Sequence, residues 1–262
     1  MACPLDFAKK TILKNPIILA NGAIYYGFWD KFKNFKEGFG VQIWPDGSRF
    51  EGMFKNDKSN GLGRLIHSDG DIYTGSWVND KAHGKGSYIH LDGTKYEGDW
   101  KFDKQEGFGV EQWPDGAKFE GNYYQGKKHG EGTFIWADGS EYTGEFEENM
   151  IFGNGTYKWS DGRIYKGEWK NNKMDGTGKF TWIDGRIYEG DYKNDKKEGY
   201  GLFYWPDGRK YKGNWKNGKQ HGKGVFFLPN GVVKEGLWEN GKFISESKLQ
   251  DSSQANLSDE VN

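Results

Sequence analysis

The sequence predicts an all-β protein, a thin antiparallel sheet assembled from about ten β-hairpin repeats, on three observations. First, nine Gly-x-Gly pairs begin at Gly38, Gly61, Gly84, Gly107, Gly130, Gly153, Gly176, Gly199 and Gly222, spaced by 23 residues with no insertion or deletion between 38 and 242. A fixed period of this size marks a repeat architecture in which each unit packs on its neighbours. Second, each period holds two short strand-like runs divided by turn residues. Third, hydrophobic residues are 34% of the chain, half of them aromatic (17%), and Gly is 41 of 262. Globular domains usually carry about 45% or more. A two-layer aliphatic core is hard to build from this composition; a sheet whose rings cover its own backbone is easier.

The repeat from Gly61 to His83 shows the elements in order. Leu62 to His67 reads as a first strand, Ser68-Asp69-Gly70 as a turn, Ile72 to Trp77 as a second strand, and Asn79-Asp80-Lys81 as the start of the next loop. Pro45, Pro114, Pro206 and Pro229 precede the turn pair in four copies. Pro presets φ for the turn, Asp bonds its own backbone, and Gly supplies φ > 0. The second strand reads aromatic-x-Gly-x-aromatic, from Phe50-Gly52-Phe54 to Tyr211-Gly213-Trp215. Period two places these three positions on one face, and the Gly-x-Gly of the first strand is expected to face the same way, under neighbouring rings. The organisation is therefore an N-terminal extension (1–16), a degenerate capping hairpin and loop (17–37), nine repeats (38–242) and a polar tail (243–262) expected to be mobile. Pro16 is placed at the start of an outer strand, where it would blunt a sheet edge.

The Asp-Gly-x-x-Tyr-x-Gly-x-Trp segment, followed by a lysine-bearing loop and Gly-x-Gly, resembles the MORN repeat over residues 38–242. About twenty strands at roughly 4.8 Å each would give a sheet on the order of 95 Å long. The resemblance implies an elongated, single-layer, twisted antiparallel ribbon with a groove along one face.

Net charge is −1, and no basic stripe stands out, which argues against a nucleic-acid surface. Cys3 is the single cysteine; it excludes an internal disulfide and is a weak candidate for acylation. No segment is long and apolar enough to span a bilayer, and the N-terminus lacks a signal-peptide core. A cytoplasmic protein is expected, and the family resemblance implies a place at the cytoskeleton or the ciliary axoneme. No P-loop, Gly-x-Ser-x-Gly or His-Glu-x-x-His occurs. His83 and His129 are two repeats apart, about 19 Å at four strand spacings, and His67 and His90 roughly 10 Å, too far to share a zinc ion. No catalytic residue, cofactor or metal is expected.

Departures from the repeat are where specificity would reside. The inter-repeat loop usually carries Lys (Lys58, Lys81, Lys104, Lys127, Lys173, Lys196, Lys219), but the fifth copy reads Glu147-Glu148-Asn149-Met150-Ile151-Phe152. Met150, Ile151 and Phe152 would either contact a partner or tuck inward at a bend. On the face opposite the glycines, the first strands are apolar near the C-terminus at Tyr200, Leu202, Tyr204, Val225 and Phe227. These residues would form a contact patch or be covered by cross-strand pairing. Replacing Tyr204 and Phe227 by Ser is expected to weaken partner binding more than it destabilises the fold. The family resemblance implies a non-enzymatic scaffold binding other proteins in a cytoskeletal or ciliary, radial-spoke-like assembly. Its alternatives are a phospholipid-binding adaptor and a regulatory subunit of a separate enzyme.

Overall fold

A computed structural model describes Lys10–Glu246. The chain divides into two units, one ending at Ser160 and one beginning at Asp161. The first holds β1 (Thr11–Ile18), β2 (Ile24–Asp30), β3 (Lys36–Ile43), β4 (Arg49–Lys55), β5 (Lys58–Ile66), β6 (Ile72–Val78), β7 (Lys81–Ile89), β8 (Lys95–Lys101), β9 (Lys104–Gln112), β10 (Lys118–Tyr124), β11 (Lys127–Ile135), β12 (Glu141–Glu147) and β13 (Met150–Lys158). The second holds β14 (Ile164–Lys170), β15 (Lys173–Thr181), β16 (Ile187–Lys193), β17 (Lys196–Tyr204), β18 (Lys210–Lys216), β19 (Lys219–Phe227), β20 (Val233–Glu239) and β21 (Lys242–Glu246). Within each unit every strand pairs antiparallel with its sequence neighbours.

The two connections alternate in kind. Within a repeat, Trp44-Pro45-Asp46-Gly47 closes with the Gly47 N–H donating to Trp44 O at 3.0 Å, and the Ser48 N–H donates to Asp46 Oδ1 at 2.9 Å. Gly47 adopts φ +92°, which only glycine takes cheaply. Between repeats the loop is two residues long. Asn56 and Asp57 have φ of 50° and 67°, the doubly positive pattern that matches the twist of a hairpin. The lysines expected in this loop instead open the following strand.

Successive inter-repeat loops are tied to one another. The Ala82 N–H donates to Asp103 Oδ1 at 2.8 Å, and the Asp103 N–H donates to Ala82 O at 3.0 Å. Asp80 and Ser59 repeat the reciprocal pair, at 2.7 and 3.0 Å. Asp103 combines φ +69° with that acceptor. Asp103→Ala is therefore expected to cost about 2 kcal/mol, from left-handed strain and an orphaned N–H. Asp103→Gly, which restores the conformation, should recover about half; equal melting temperatures for the two variants would refute this.

Each second strand meets the next first strand through a bulge. Gly52 pairs with Gly63 but Phe54 with Ser59, so Met53 faces three residues, and Gly61 turns there with φ +103°. All nine first glycines of the Gly-x-Gly pairs have positive φ. The expectation that both glycines lie under rings is corrected: the first is the bulge residue, and a Cβ on Gly61 would meet the Met53 side chain, whereas only the second lies under a ring. A Cβ on Gly63 would meet Phe50 Cε2 at 2.7 Å. The bulge also explains the preference for Tyr at the first ring position. The residue at the bulge loses its ladder partner, and the ring's hydroxyl supplies one: Tyr73 OH donates to Ser76 O, and Tyr96 OH to Asp99 O, both at 3.0 Å.

The rings build the core. Tyr25, Tyr142, Tyr165, Tyr188 and Tyr211 are 0% exposed. Within a unit, a first ring stands edge-on to the second ring of its own strand and to that of the next repeat, as Tyr73 does to Trp77 (5.0 Å, 87°) and Trp100 (5.2 Å, 85°). The zigzag runs from Trp29 to Phe146 in the first unit and from Trp169 to Trp238 in the second. Such pairs contribute about 0.5–1.5 kcal/mol each beyond area burial.

The ends differ from the sequence reading. The boundary expected at 16/17 falls inside β1, and Pro16, expected to start that strand, sits where its register shifts between Lys14 and Ile17, a bulge that spares the missing N–H. The tail expected from 243 begins as structure: β21 pairs with β20, and Phe243 stands edge-on to Trp238 at 4.9 Å. A ring available to cap the last repeat explains the difference. Cys3 and residues 247–262 lie outside the described residues.

Candidate protein-binding face

Alternation along the strands gives each unit two unlike faces. The ring face carries the zigzag and the second glycines. It also carries two further rows, because the period-two register of each first strand continues past its glycine. After Gly201 this adds Phe203 in β17 and Trp205 just past the end of that strand. In the first unit a second aromatic chain links Trp113, Phe134, Trp136, Tyr157 and Trp159 at centroid distances of 5.3, 4.6, 5.0 and 4.5 Å. In the second it links Phe180, Trp182, Phe203, Trp205 and Phe226 at 4.3, 5.5, 4.4 and 5.5 Å. Trp182 and Trp205 remain partly exposed, so the row offers apolar surface.

Four lysines enter this aromatic face. Lys14 Nζ lies 4.2 Å from the Trp29 ring centroid and donates to Asn34 Oδ1 at 2.8 Å. Lys36 Nζ donates to Gln42 Oε1 at 2.7 Å. Lys128 Nζ pairs with Glu111 at 2.7 Å, both side chains largely buried, and Tyr123 OH donates to the same carboxylate oxygen at 3.0 Å. Lys197 Nζ lies 4.9 to 5.5 Å from the ring centroids of Trp182, Tyr188, Phe203 and Trp215. Arg186 and Arg209 stack on Trp182 and Trp205, each at 5.4 Å, and pair with Asp184 and Asp207 at 2.8 and 2.7 Å. With Arg163 at the equivalent place, arginines recur every 23 residues along the second unit. This modifies the expectation that no basic stripe exists; these guanidiniums are paired with the aspartates of their own turns.

In the first unit the corresponding positions hold Ser48, Asp71, Thr94, Ala117 and Ser140, and Asp71 is the charged one. It accepts from the Leu91 N–H (2.9 Å) and Tyr88 OH (2.8 Å) and lies 2.9 Å from His90 Nδ1. The Leu91 N–H first, then the Tyr88 hydroxyl, hold the Asp71 carboxyl below its ordinary value. The turn aspartates Asp92 and Asp138 are lowered mainly by the Thr94 and Ser140 N–H groups. A folded value below the unfolded one contributes stability above the unfolded pKa, about 3.9 for Asp, and loses it as pH falls through the folded value. The melting temperature is therefore expected to drop progressively below about pH 4; a flat profile through that range would refute it. Among the described residues no group of three or more His, Cys, Asp or Glu could hold a metal ion. His83 and His129 pack beside Phe102 and Tyr124.

The residues singled out from the sequence fall in two places. Met150, Ile151 and Phe152 are not in a loop: only Glu148 and Asn149 turn, with φ of 52° and 70°, and β13 begins at Met150. Ile151 is 7% exposed and pairs with Phe146, while Met150 and Phe152 are half-buried. Tyr200, Leu202, Tyr204, Val225 and Phe227 lie on the face opposite the rings. Tyr200 is 52% exposed. Leu202 stands between Glu189 and Lys212, Tyr204 between Ile187 and Lys210, Val225 between Lys212 and Glu235, and Phe227 between Lys210 and Val233. Lys210 Nζ lies 5.4 Å from the Tyr204 ring. The tryptophan row and the buried lysines were missed. Extending the period of two from each second glycine to the residue before the turn finds the former.

A zigzag of edge-on rings over a glycine ladder, repeated hairpin by hairpin, defines a β-repeat protein that presents an extended aromatic face. The MORN repeat model matches residues 25–49, 50–72, 73–95, 96–118, 119–141, 142–162, 165–185, 188–208 and 211–233, and the chain belongs to the MORN repeat family. No curated protein matches it significantly. Among solved structures, the G-box domain of the microcephaly protein CPAP is 13% identical, with 77% of this chain and 100% of that one covered and a TM-score of 0.41. The TCP10 domain of Danio rerio CPAP is 14% identical (90% and 99% covered, TM-score 0.29). Virginiamycin B lyase from Staphylococcus aureus is 12% identical (87% and 84%, TM-score 0.18). Scores this low say nothing about partners or chemistry. Among the described residues no helix is long and apolar enough to cross a membrane.

Proposed function

We propose that this chain is a non-enzymatic repeat scaffold that binds other proteins within a larger cytoskeletal or ciliary assembly of radial-spoke type. The observation that carries the binding role is the ring face. It holds an ordered, partly exposed row of Trp and Phe side chains on a backbone fixed by glycine and bulge geometry, and extended aromatic surface of this kind is enriched at protein contacts. The ring face is preferred over the patch at Tyr200, Leu202, Tyr204, Val225 and Phe227 because charged cross-strand neighbours flank most of that patch. The ciliary placement rests on the resemblance to proteins made almost wholly of MORN repeats.

The test is site-specific photo-crosslinking in the native assembly, with the crosslinker at Trp205 on the ring face or Glu189 on the other. Partner adducts from position 205 and few from 189 are expected; the reverse would move the contact to the opposite face, and none from either would reject the scaffold reading. The exposed lysines that open β5, β7, β9 and β11 favour a second reading, adhesion to acidic lipid. Salt-sensitive flotation with phosphatidylserine vesicles, abolished by replacing Lys58, Lys81, Lys104 and Lys127 with Gln, would support it.

A further inference from the structure

We propose that Lys197 is the anchor for a carboxylate of a partner polypeptide, an Asp or Glu side chain in an otherwise apolar segment lying across β15–β19. The inference rests on the scaffold reading and names the chemistry of the partner.

Lys36, Lys128 and Lys197 hold the same repeat position and differ in what completes them. Lys128 has Glu111 seventeen residues before it and Lys36 has Gln42 six residues after it. At those two offsets from Lys197 the chain carries Phe180 and Phe203. No carboxylate or hydrogen-bond acceptor among the described residues meets its ammonium. The four surrounding rings attract the positive charge but offer the three N–H donors no hydrogen-bond acceptor from the protein.

The nearby carboxylates do not fill this role. Asp184 and Asp207 are engaged by Arg186 and Arg209. Burial, and secondarily the Arg186 cation, push the Lys197 ammonium down to about 8, the sign of a cation that lacks a counter-ion. A bound carboxylate would offset this lowering by favouring the charged ammonium and complete the half-built pair in the way Glu111 completes Lys128.

The charge distribution selects the occupant. A polyanion such as nucleic acid or a phosphoinositide surface needs a field of several uncompensated cations. Here the arginines that stack on the ring face are neutralised by their own turns. One uncompensated cation among Trp182, Phe203 and Trp215 fits one carboxylate flanked by apolar side chains.

The test uses the full chain and arrays of short synthetic peptides with a central Asp or Glu among apolar residues, matched to Asn, Gln and phosphoserine versions. Retention of acid over amide peptides by about tenfold is expected, which corresponds to about 1.4 kcal/mol. Lys197→Met should abolish that preference while folding normally, because Met174 occupies the equivalent position in the preceding repeat. Lys197→Arg should keep part of it, and Lys212→Met, on the opposite face, all of it. Equal binding of acid and amide peptides, or a preference surviving in Lys197→Met, overturns the inference and leaves the scaffold reading intact. Stronger retention of phosphoserine peptides overturns it in favour of a phosphate ligand. No retention of any peptide also overturns it, and the photo-crosslinking result then decides separately whether a scaffold remains.

Discussion

Gly98→Ala is expected to lower the melting temperature by a destabilisation of about 3 kcal/mol or more. The new Cβ would lie 2.6 Å from Gly109 Cα and 2.7 Å from Phe108 O, and both are backbone atoms of the paired strand. A flexible side chain could swing away from such a contact; a ladder held by hydrogen bonds on both sides cannot. The same methyl would also press on the Tyr96 hydroxyl at 2.5 Å, displacing the ring from its edge-on contacts with Trp100 and Tyr123. Gly116→Ala is the control. Nothing lies within 4 Å of its Cβ position and φ is +92°, so it carries conformational strain alone, about 1–2 kcal/mol. Thermal unfolding followed by circular dichroism separates the two. Equal losses would mean that small shifts of the paired strands relieve the close approach at 98, since Gly98, unlike Gly116, has no positive φ.

That contrast shows what the sequence made legible. Period and alternation located the hairpins, the second-strand rings and the second glycine, because a fixed spacing and a two-residue repeat translate directly into position and face. The roles of the two glycines in Gly61-Leu62-Gly63 could not be separated, since the distinction depends on a register shift that places three residues opposite Met53. A bulge alters pairing between strands and leaves the spacing within each strand unchanged. The same shift concealed the start of β13. Glu147 to Phe152 read as a loop because its lysine is missing, yet the turn itself needs only Glu148 and Asn149 in left-handed conformations, and Ile151 continues the inward alternation. Lys197 was hidden for a different reason. Its significance lies in what two other repeats place beside the equivalent cation, and Phe180 and Phe203 acquire meaning only once Glu111 and Gln42 are seen bonded to their lysines.

Lys128→Met is expected to cost about 2–3 kcal/mol, and the loss should be largely undone by adding Glu111→Phe. The ion pair is largely buried, with side-chain exposures of 14% and 16%. Removing only the cation leaves a carboxylate among Trp113, Phe119, Tyr123 and Phe134, the rings that now surround Lys128 Nζ at 5.0 to 6.0 Å. Tyr123 OH would then be the remaining donor from the present pair of contacts to Glu111 Oε2. Isolating one partner of a buried pair typically costs about 3–5 kcal/mol, whereas replacing both by apolar groups is often neutral; residual solvent access places this case below that range. Phe is a plausible fit at position 111 because Phe180 and Phe203 hold the equivalent place two strands apart in later repeats. The double variant forfeits the Tyr123 hydrogen bond, so recovery should stop about 1 kcal/mol short of the parent. Melting temperatures of the parent, both single variants and the double variant form the cycle, and a coupling of about 2 kcal/mol is expected. Additive losses would show that Lys128 acts through its contacts with the rings, and that Glu111 is stabilised independently of it.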